Sequence, residues 1–342
     1  MIDPLLDRYL ADLQQRPNRR GRIASPATIR AAHADLQGFF AWWEQTHHVS
    51  FDVALVLDRD LRAWQRHRQC EDGAKPATIN RAHASLRAFF AWAQQQELIR
   101  HTPTTDLHDL PIEDGAPRSL PSTAVEWLAR AASAQHDPTA RLRDLALITV
   151  LNDCGLRAQE AADIQVRDLD LDGAMLTIRS GKGGQGRRVP LTAAVIRRMR
   201  EYLKVRRPVG LPPIGSDAER EPLLMKHNLT KAGAPWEPGL TTVAMRKHLG
   251  ELGRAAADLV QARAAKEPSL ERVAELEVLA RQLAAVSPHQ LRHGLAYRLW
   301  KQATPAHIQR ILGHSRVSTT LKYGKPTEDD LRAALEEANR GR

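Results

Sequence analysis

Cysteine is almost missing from this chain: 342 residues hold two, Cys70 and Cys154, far apart and without metal-site spacing. So sparse a supply excludes a disulfide framework and a cysteine-based zinc site, and suits a reducing, cytoplasmic setting. No apolar run approaches the roughly 20 residues needed to cross a bilayer, so no membrane partner is expected. The opening Met1-Ile2-Asp3-Pro4 lacks both the basic and the apolar region of a secretion signal. Acidic residues are in deficit, 40 against 50 Lys+Arg, giving a net charge of +10 and a pI near 10.0. That balance points to a polyanionic partner. The excess is uneven. Residues 1–110 hold 14 Lys+Arg against 13 Asp+Glu, whereas residues 111–342 hold 36 against 27. Arginine outnumbers lysine, which suits bidentate contacts to phosphate.

The length favours two domains. Within the first 110 residues a segment repeats: Pro26-Ala27-Thr28-Ile29 through Phe39-Phe40-Ala41-Trp42 returns as Pro76-Ala77-Thr78-Ile79 through Phe89-Phe90-Ala91-Trp92. Ile29, Leu36, Phe39, Phe40 and Trp43, like Ile79, Leu86, Phe89 and Phe90, fall at helical spacing. Ser25 can cap the first copy and Lys75 cannot cap the second. With weaker helical patterns at 3–15 and 57–70, the region reads as four helices on an aromatic core. Its aromatics, and the matched His33 and His83, read as packing residues rather than a base-stacking surface.

Residues 111–120, with Pro111, Gly115 and Pro117, read as an exposed linker. Beyond it the patterns predict helices at about 123–134 (capped by Ser122 or Thr123), 139–154 and 158–163. Short strands follow at Val166–Leu171, Met175–Arg179 and Arg187–Pro190, with turns at Asp172-Gly173 and Gly181–Gly186. Helix returns at 192–206, and residues 208–239 form a Pro/Gly-rich connection without assignment. Two helices at 241–265 and 269–285, broken at Pro268, read as a solvated hairpin. Helices at about 288–302, 304–312, 315–322 and 327–340 complete the chain.

Four short segments carry chemistry. In Cys154-Gly155-Leu156-Arg157-Ala158-Gln159-Glu160 an arginine leaves a glycine turn, with an acid three residues on to orient it. Gly181-Lys182-Gly183-Gly184-Gln185-Gly186-Arg187-Arg188 places a lysine on a glycine-rich hairpin tip, open to a sugar-phosphate chain. In Ser287-Pro288-His289-Gln290-Leu291-Arg292-His293, Ser287 caps, Pro288 starts a helix, and His289 and Arg292 share one face. Last, Leu312-Gly313-His314-Ser315 is followed by Thr319-Thr320-Leu321-Lys322-Tyr323. A free phenol, with a pKa near 10, is a poor nucleophile, and becomes useful where cations stabilise the charge it generates. The glycine-rich loop lacks the phosphate-loop pattern for nucleotides. Metal ligation by His289, His293 and His314 is opposed by the intervening Arg292, so neither cofactor nor metal is expected.

Taken in order, Gly-Leu-Arg-x-x-Glu, the lysine hairpin, His-x-Leu-Arg-His, Leu-Gly-His-Ser and Thr-Thr-x-x-Tyr resemble the tyrosine recombinase (phage integrase) family over about residues 120–330. The simpler Xer-type and transposon- or plasmid-borne members are most similar, since the repeat begins by residue 26. The resemblance implies a mainly α fold with two domains. An N-terminal four-helix SAM-like core-binding domain (1–110) and a linker (111–120) precede an α+β catalytic domain (121–342) with a small three-stranded antiparallel sheet. Together they would form a C-shaped DNA clamp. Residues 254–286 look like a helical insertion, an inert surface excursion or a partner contact.

By resemblance, Arg157 and Arg292 hold the nonbridging oxygens of the scissile phosphate, and Lys182 protonates the departing 5′ oxygen. His289 does general acid/base work, His314 hydrogen-bonds the phosphate, Tyr323 is the nucleophile and Glu160 supports the site. The implied activity is site-specific DNA recombination through a 3′-phosphotyrosine, without ATP or metal. A double-stranded recombination site, a homo-tetramer (or a hetero-tetramer with a second recombinase), accessory proteins and a nucleoid-associated location come with it. The acidic segment after Pro326, Glu328-Asp329-Asp330, would dock on a neighbouring subunit or form a solvated surface helix. Alternatives are a DNA-binding protein of the same clamp fold without strand exchange, and a type IB topoisomerase-like enzyme.

Overall fold

Pro26 and Pro76 each open a long helix, as the repeat predicts. The computed structural model describes residues 4–17, 21, 23–112, 120–179, 186–206, 220–225 and 239–313. It divides the chain into two compact units, Met1–Asp114 and Gly115–Arg342. The first contains α1 (Pro4–Gln15), α2 (Pro26–His47), α3 (Asp58–Cys70) and α4 (Pro76–Gln95). Ser25 accepts the Thr28 amide at 3.2 Å at the head of α2, and Lys75 gives α4 no such cap. The repeat aromatics do pack inward. Phe39 meets Phe90 edge-on at 6.3 Å, Tyr9 meets Phe89 at 5.4 Å, and Phe40 stacks on Phe51 at 3.7 Å. Trp43 and Trp92 are buried and Trp42 half-buried, so this set is core. Asp35 on α2 accepts from Arg81 and Ser85 on α4 at 2.7 and 2.8 Å, pairing the two copies across their interface. His83 is fully enclosed, 3.5 Å from Asp109, and burial, with Arg87 nearby, lowers its pKa.

The second unit is arranged around α6 (Pro138–Asn152), which follows α5 (Ser122–Ser133) and is capped by Asp137. Every residue of α6 from Arg143 to Asn152 is buried, so this helix runs through the core. After α7 (Ala158–Asp163) come β1 (Leu169–Asp170), β2 (Met175–Ile178) and β3 (Arg187–Pro190), antiparallel in that order. Ile178 pairs with Arg187 across β2 and β3, and the predicted turn between them, with Lys182, lies outside the described residues. Then follow α8 (Ala193–Arg206), α9 (Thr242–Ala264), α10 (Leu270–Ala284), α11 (Pro288–Trp300) and α12 (Pro305–Leu312). Among the described residues no helix is long and apolar enough to cross a membrane.

Four expectations need correction. Residues 241–265 are not a solvated element: α9 buries Met245, Leu249, Leu252, Gly253, Ala256, Ala257 and Val260 in the same core as α6. Small Gly and Ala side chains, which read as surface in sequence, let α10 approach closely there. Only α10 is largely exposed, burying just Ala280 and Leu283. Val166–Asp168 winds into a 3-10 turn, which shortens the first strand to two residues. Neither Ser122 nor Thr123 caps α5, because Ser122 already lies in the helix behind Pro121. Ser287 precedes α11 without capping it, and its hydroxyl donates to the Gln290 side chain at 2.9 Å. The unassigned connection contributes Leu223 and Leu224 to the core, held by Leu223 N–H to Ile164 O at 2.8 Å.

Candidate active site

Gly155, three residues past the end of α6, lies in the left-handed region at φ +64°, and a Cβ there would lie 2.7 Å from Leu312 and 2.8 Å from Leu295. Only glycine lets the turn pass beneath α11 and α12. Two residues on, Arg157 stands at the head of α7, and its amide donates to Glu160 at 2.9 Å. The Gly-Leu-Arg-x-x-Glu spacing is therefore a local device. The turn aims the arginine, and the first turn of α7 returns a carboxylate to it.

Glu160 does more than orient Arg157. Its carboxylate is buried and accepts from Arg157 Nη1 at 2.7 Å and from Arg187 Nη1 and Nη2 at 2.9 and 2.8 Å, while Arg292 Nη1 forms an ion pair with it at 3.6 Å. Burial pushes its pKa up, but the hydrogen bonds from Arg187 and the Arg157 amide and the charges of both arginines outweigh it, drawing it down to about 2.

The same three arginines grip the end of α12. Arg187 Nε donates to Ile311 O at 2.8 Å, Arg292 Nη2 to Leu312 O at 2.5 Å, and Arg157 Nη2 to Gly313 O at 2.9 Å. These are terminal carbonyls that a helix leaves unpaired, at the negative end of its dipole. Arg292 Nη1 also donates to Gly155 O, closing the circuit to the glycine turn. α12 is fixed from beneath by Ile308 and Leu312 against Leu295 and Ala296, and it ends at Gly313 in the left-handed region at φ +63°.

His289 lies exposed in the first turn of α11, three residues before the buried Arg292. Partial burial and then the charges of Arg292, Arg246 and Arg157 lower its pKa, so the ring is neutral and able to accept a proton near pH 7. His293 is shifted the same way by burial, His289 and Arg292, and the two rings lie 6.4 Å apart. Four of the seven site residues expected from sequence, Arg157, Glu160, His289 and Arg292, are thus brought together. Lys182, His314 and Tyr323 lie outside the described residues.

Arg187 is the member that sequence reasoning missed. Strand alternation carried its signal: Val189 faces the core, so Arg187, two positions earlier, shares that inward face. Its side chain is only 6% exposed, against 22% for Arg157. Arg157 therefore reaches the surface of the cluster while Arg187 lies within it. The arrangement offers cationic donors and a neutral imidazole around the point where the chain continues from Gly313 into His314.

The comparisons follow this division. Residues 119–329 match the Phage integrase family, and residues 6–97 match the Phage integrase N-terminal SAM-like domain. A tyrosine recombinase XerC of Rhodospirillum centenum is 31% identical over 324 residues, covering 93% of this chain and 83% of that protein. A tyrosine recombinase XerA of Pyrococcus horikoshii is 25% identical over 223 residues, 65% of this chain. That match spans 63% of the length of XerA, less than two thirds. Among solved structures, a Tn1549 transposon integrase in complex with a circular intermediate DNA superposes with a TM-score of 0.65 at 21% identity, covering 97% of this chain and 99% of that one. The XerH site-specific recombinase bound to its difH substrate gives 0.62 at 16%, over 98% and 97%. At those identities the likeness is one of fold.

Proposed function

From membership of the phage integrase family, to which this chain belongs, we propose that it is a tyrosine site-specific recombinase, which cuts and rejoins double-stranded DNA through a 3′-phosphotyrosine at Tyr323. The observation that carries this reading is the cluster itself. Arg157, Arg187 and Arg292 converge on buried Glu160 and on the end of α12, from which the chain runs on to Tyr323. The other tyrosines fit the role poorly. Tyr9 is buried with its pKa pushed up to about 12, Tyr202 is buried and accepts the Met225 amide, and Tyr297 lies under Lys301.

In the reaction, the Tyr323 oxygen attacks a DNA phosphorus and forms the phosphotyrosine bond while the bond to the 5′ oxygen breaks. Arg157 and Arg292 hold the equatorial oxygens as charge gathers there, being protonated at any working pH. Neutral His289 takes the phenolic proton, Lys182 supplies one to the departing 5′ oxygen, and His314 donates to the phosphate. Because the covalent link conserves the phosphodiester energy, a second 5′ hydroxyl reverses the step without ATP or metal. Two such exchanges recombine two duplexes, which requires four active sites, hence a tetramer. Residues 1–110 serve as the core-binding domain, 111–120 as the linker and 121–342 as the catalytic domain, acting on the DNA of the nucleoid.

The test is covalent capture. On a nicked recombination-site duplex the wild type is expected to give an SDS-stable protein–DNA adduct, and Tyr323→Phe none. An adduct that persists in the Phe variant would remove Tyr323 from the role.

A further inference from the structure

We infer that Arg187 is the positioning residue of the site: it holds the start of β3, the Arg157–Glu160 pair and the end of α12 in one register, and acts on DNA cleavage only through them. The inference rests on the recombinase reading above. Arg187 opens β3, where it pairs with Ile178, and lies five residues after Lys182 in sequence. Its guanidinium spans two other segments at once. Both terminal nitrogens bind the Glu160 carboxylate at 2.8 and 2.9 Å, a bidentate pairing, and Nε binds Ile311 O at 2.8 Å. Those partners lie 27 and 124 residues away in sequence, so no local element substitutes for the contact.

Two further observations separate Arg187 from the arginines assigned to phosphate. At 6% exposure its side chain is withdrawn beneath Arg157, and its fork is consumed by Glu160 and Ile311. The surroundings are also closed around it: a Cβ on Gly313 would lie 3.0 Å from Arg187 Nη1 and 3.1 Å from its Cδ. The chain leaves the cluster at Gly313, one residue before His314, directly over this side chain. Arg157 is steered by the same carboxylate that Arg187 clamps. Loss of Arg187 therefore frees Glu160 to rotate, releases one carbonyl of the α12 end and unpins β3, displacing Arg157 and the end of α12 relative to each other.

The experiment measures single-turnover adduct formation on the nicked duplex, duplex affinity and thermal midpoint for the wild type, Arg187→Ala and Arg187→Lys, with and without millimolar ethylguanidinium. For Arg187→Ala the expected result is cleavage slowed by about 100-fold, the cost of misplacing groups by around an ångström. Affinity should change by less than about threefold, and ethylguanidinium should restore part of the rate. Arg187→Lys should fall between, since an ammonium reaches Glu160 but cannot span to Ile311 as well. Alanine cleaving within about twofold of wild type overturns the assignment. So does a parallel collapse of cleavage, affinity and midpoint without rescue, which would make Arg187 a fold residue only. A wild-type protein that forms no adduct overturns the recombinase reading itself, an outcome distinct from either.

Discussion

A carboxylate shared among three guanidiniums supports the fold only while it is ionised, and Glu160 supplies the sign and size of that dependence. Its folded pKa of about 2 lies below the usual 4.5, so its contribution is fully present above pH 4.5 and is lost as pH falls toward 2. The shift corresponds to stability on the order of 3 kcal/mol at neutral pH. Glu160→Gln keeps the shape but leaves Arg187 and Arg292 without their countercharge. Denaturant unfolding at a series of pH values should show the variant weaker by about that amount at pH 7. Wild type and variant should converge only as pH falls to about 2. A variant that loses stability with acid as steeply as wild type would mean that other carboxylates carry the acid sensitivity.

Two glycines in α9 sit three residues apart in opposite surroundings, and they test whether that helix is core. A Cβ on Gly253 would run into the Leu283 carbonyl and approach Val286 to 2.5 Å, whereas one on Gly250 meets only the end of Arg254 at 3.7 Å. Glycine in a helix interior costs about 0.5–1 kcal/mol relative to alanine, so Gly250→Ala should raise the thermal midpoint. Gly253→Ala should lower it, by roughly 1–3 kcal/mol of overpacking against backbone that cannot give way. Equal, stabilising effects at both positions would restore the solvated hairpin that the sequence suggests. The contrast also explains what could be read beforehand. Helix starts at Pro26, Pro76 and Pro288, the glycine turn before Arg157 and the Glu160 return are short-range features, set by residues within one turn of each other. α9 escaped because Gly253, Ala256 and Ala257 interrupt its buried face between Met245, Leu249, Leu252 and Val260, and the burial of such small residues depends on a neighbouring helix rather than on their own hydrophobicity. Arg187 escaped for a related reason: its motif position was visible, but Ile311 and Glu160 reach it only through the tertiary fold.

Among the described residues, the two largest hydrophobic clusters each belong to one unit. One gathers Leu36, Phe39, Phe40, Phe89 and Phe90, and the other Leu147, Leu151, Leu176, Met199 and Leu249; neither cluster includes a residue of the other unit. The whole basic excess lies on the second unit, while many acids of the first are matched locally, as Asp35 is by Arg81 and Asp58 by Arg62. Clusters that share no residue should respond independently to mutation, because coupling requires side chains in contact or in a common network. Phe39→Ala removes a fully buried ring and should cost about 3–5 kcal/mol, felt only within residues 4–112. Hydrogen exchange read by peptide should therefore show faster exchange in α2 and α4, with α6 and α9 protected as in wild type. Matching loss of protection in α6 would mean that the two units unfold as one, and adduct formation would then fall with the first core instead of tracking the Glu160 cluster alone.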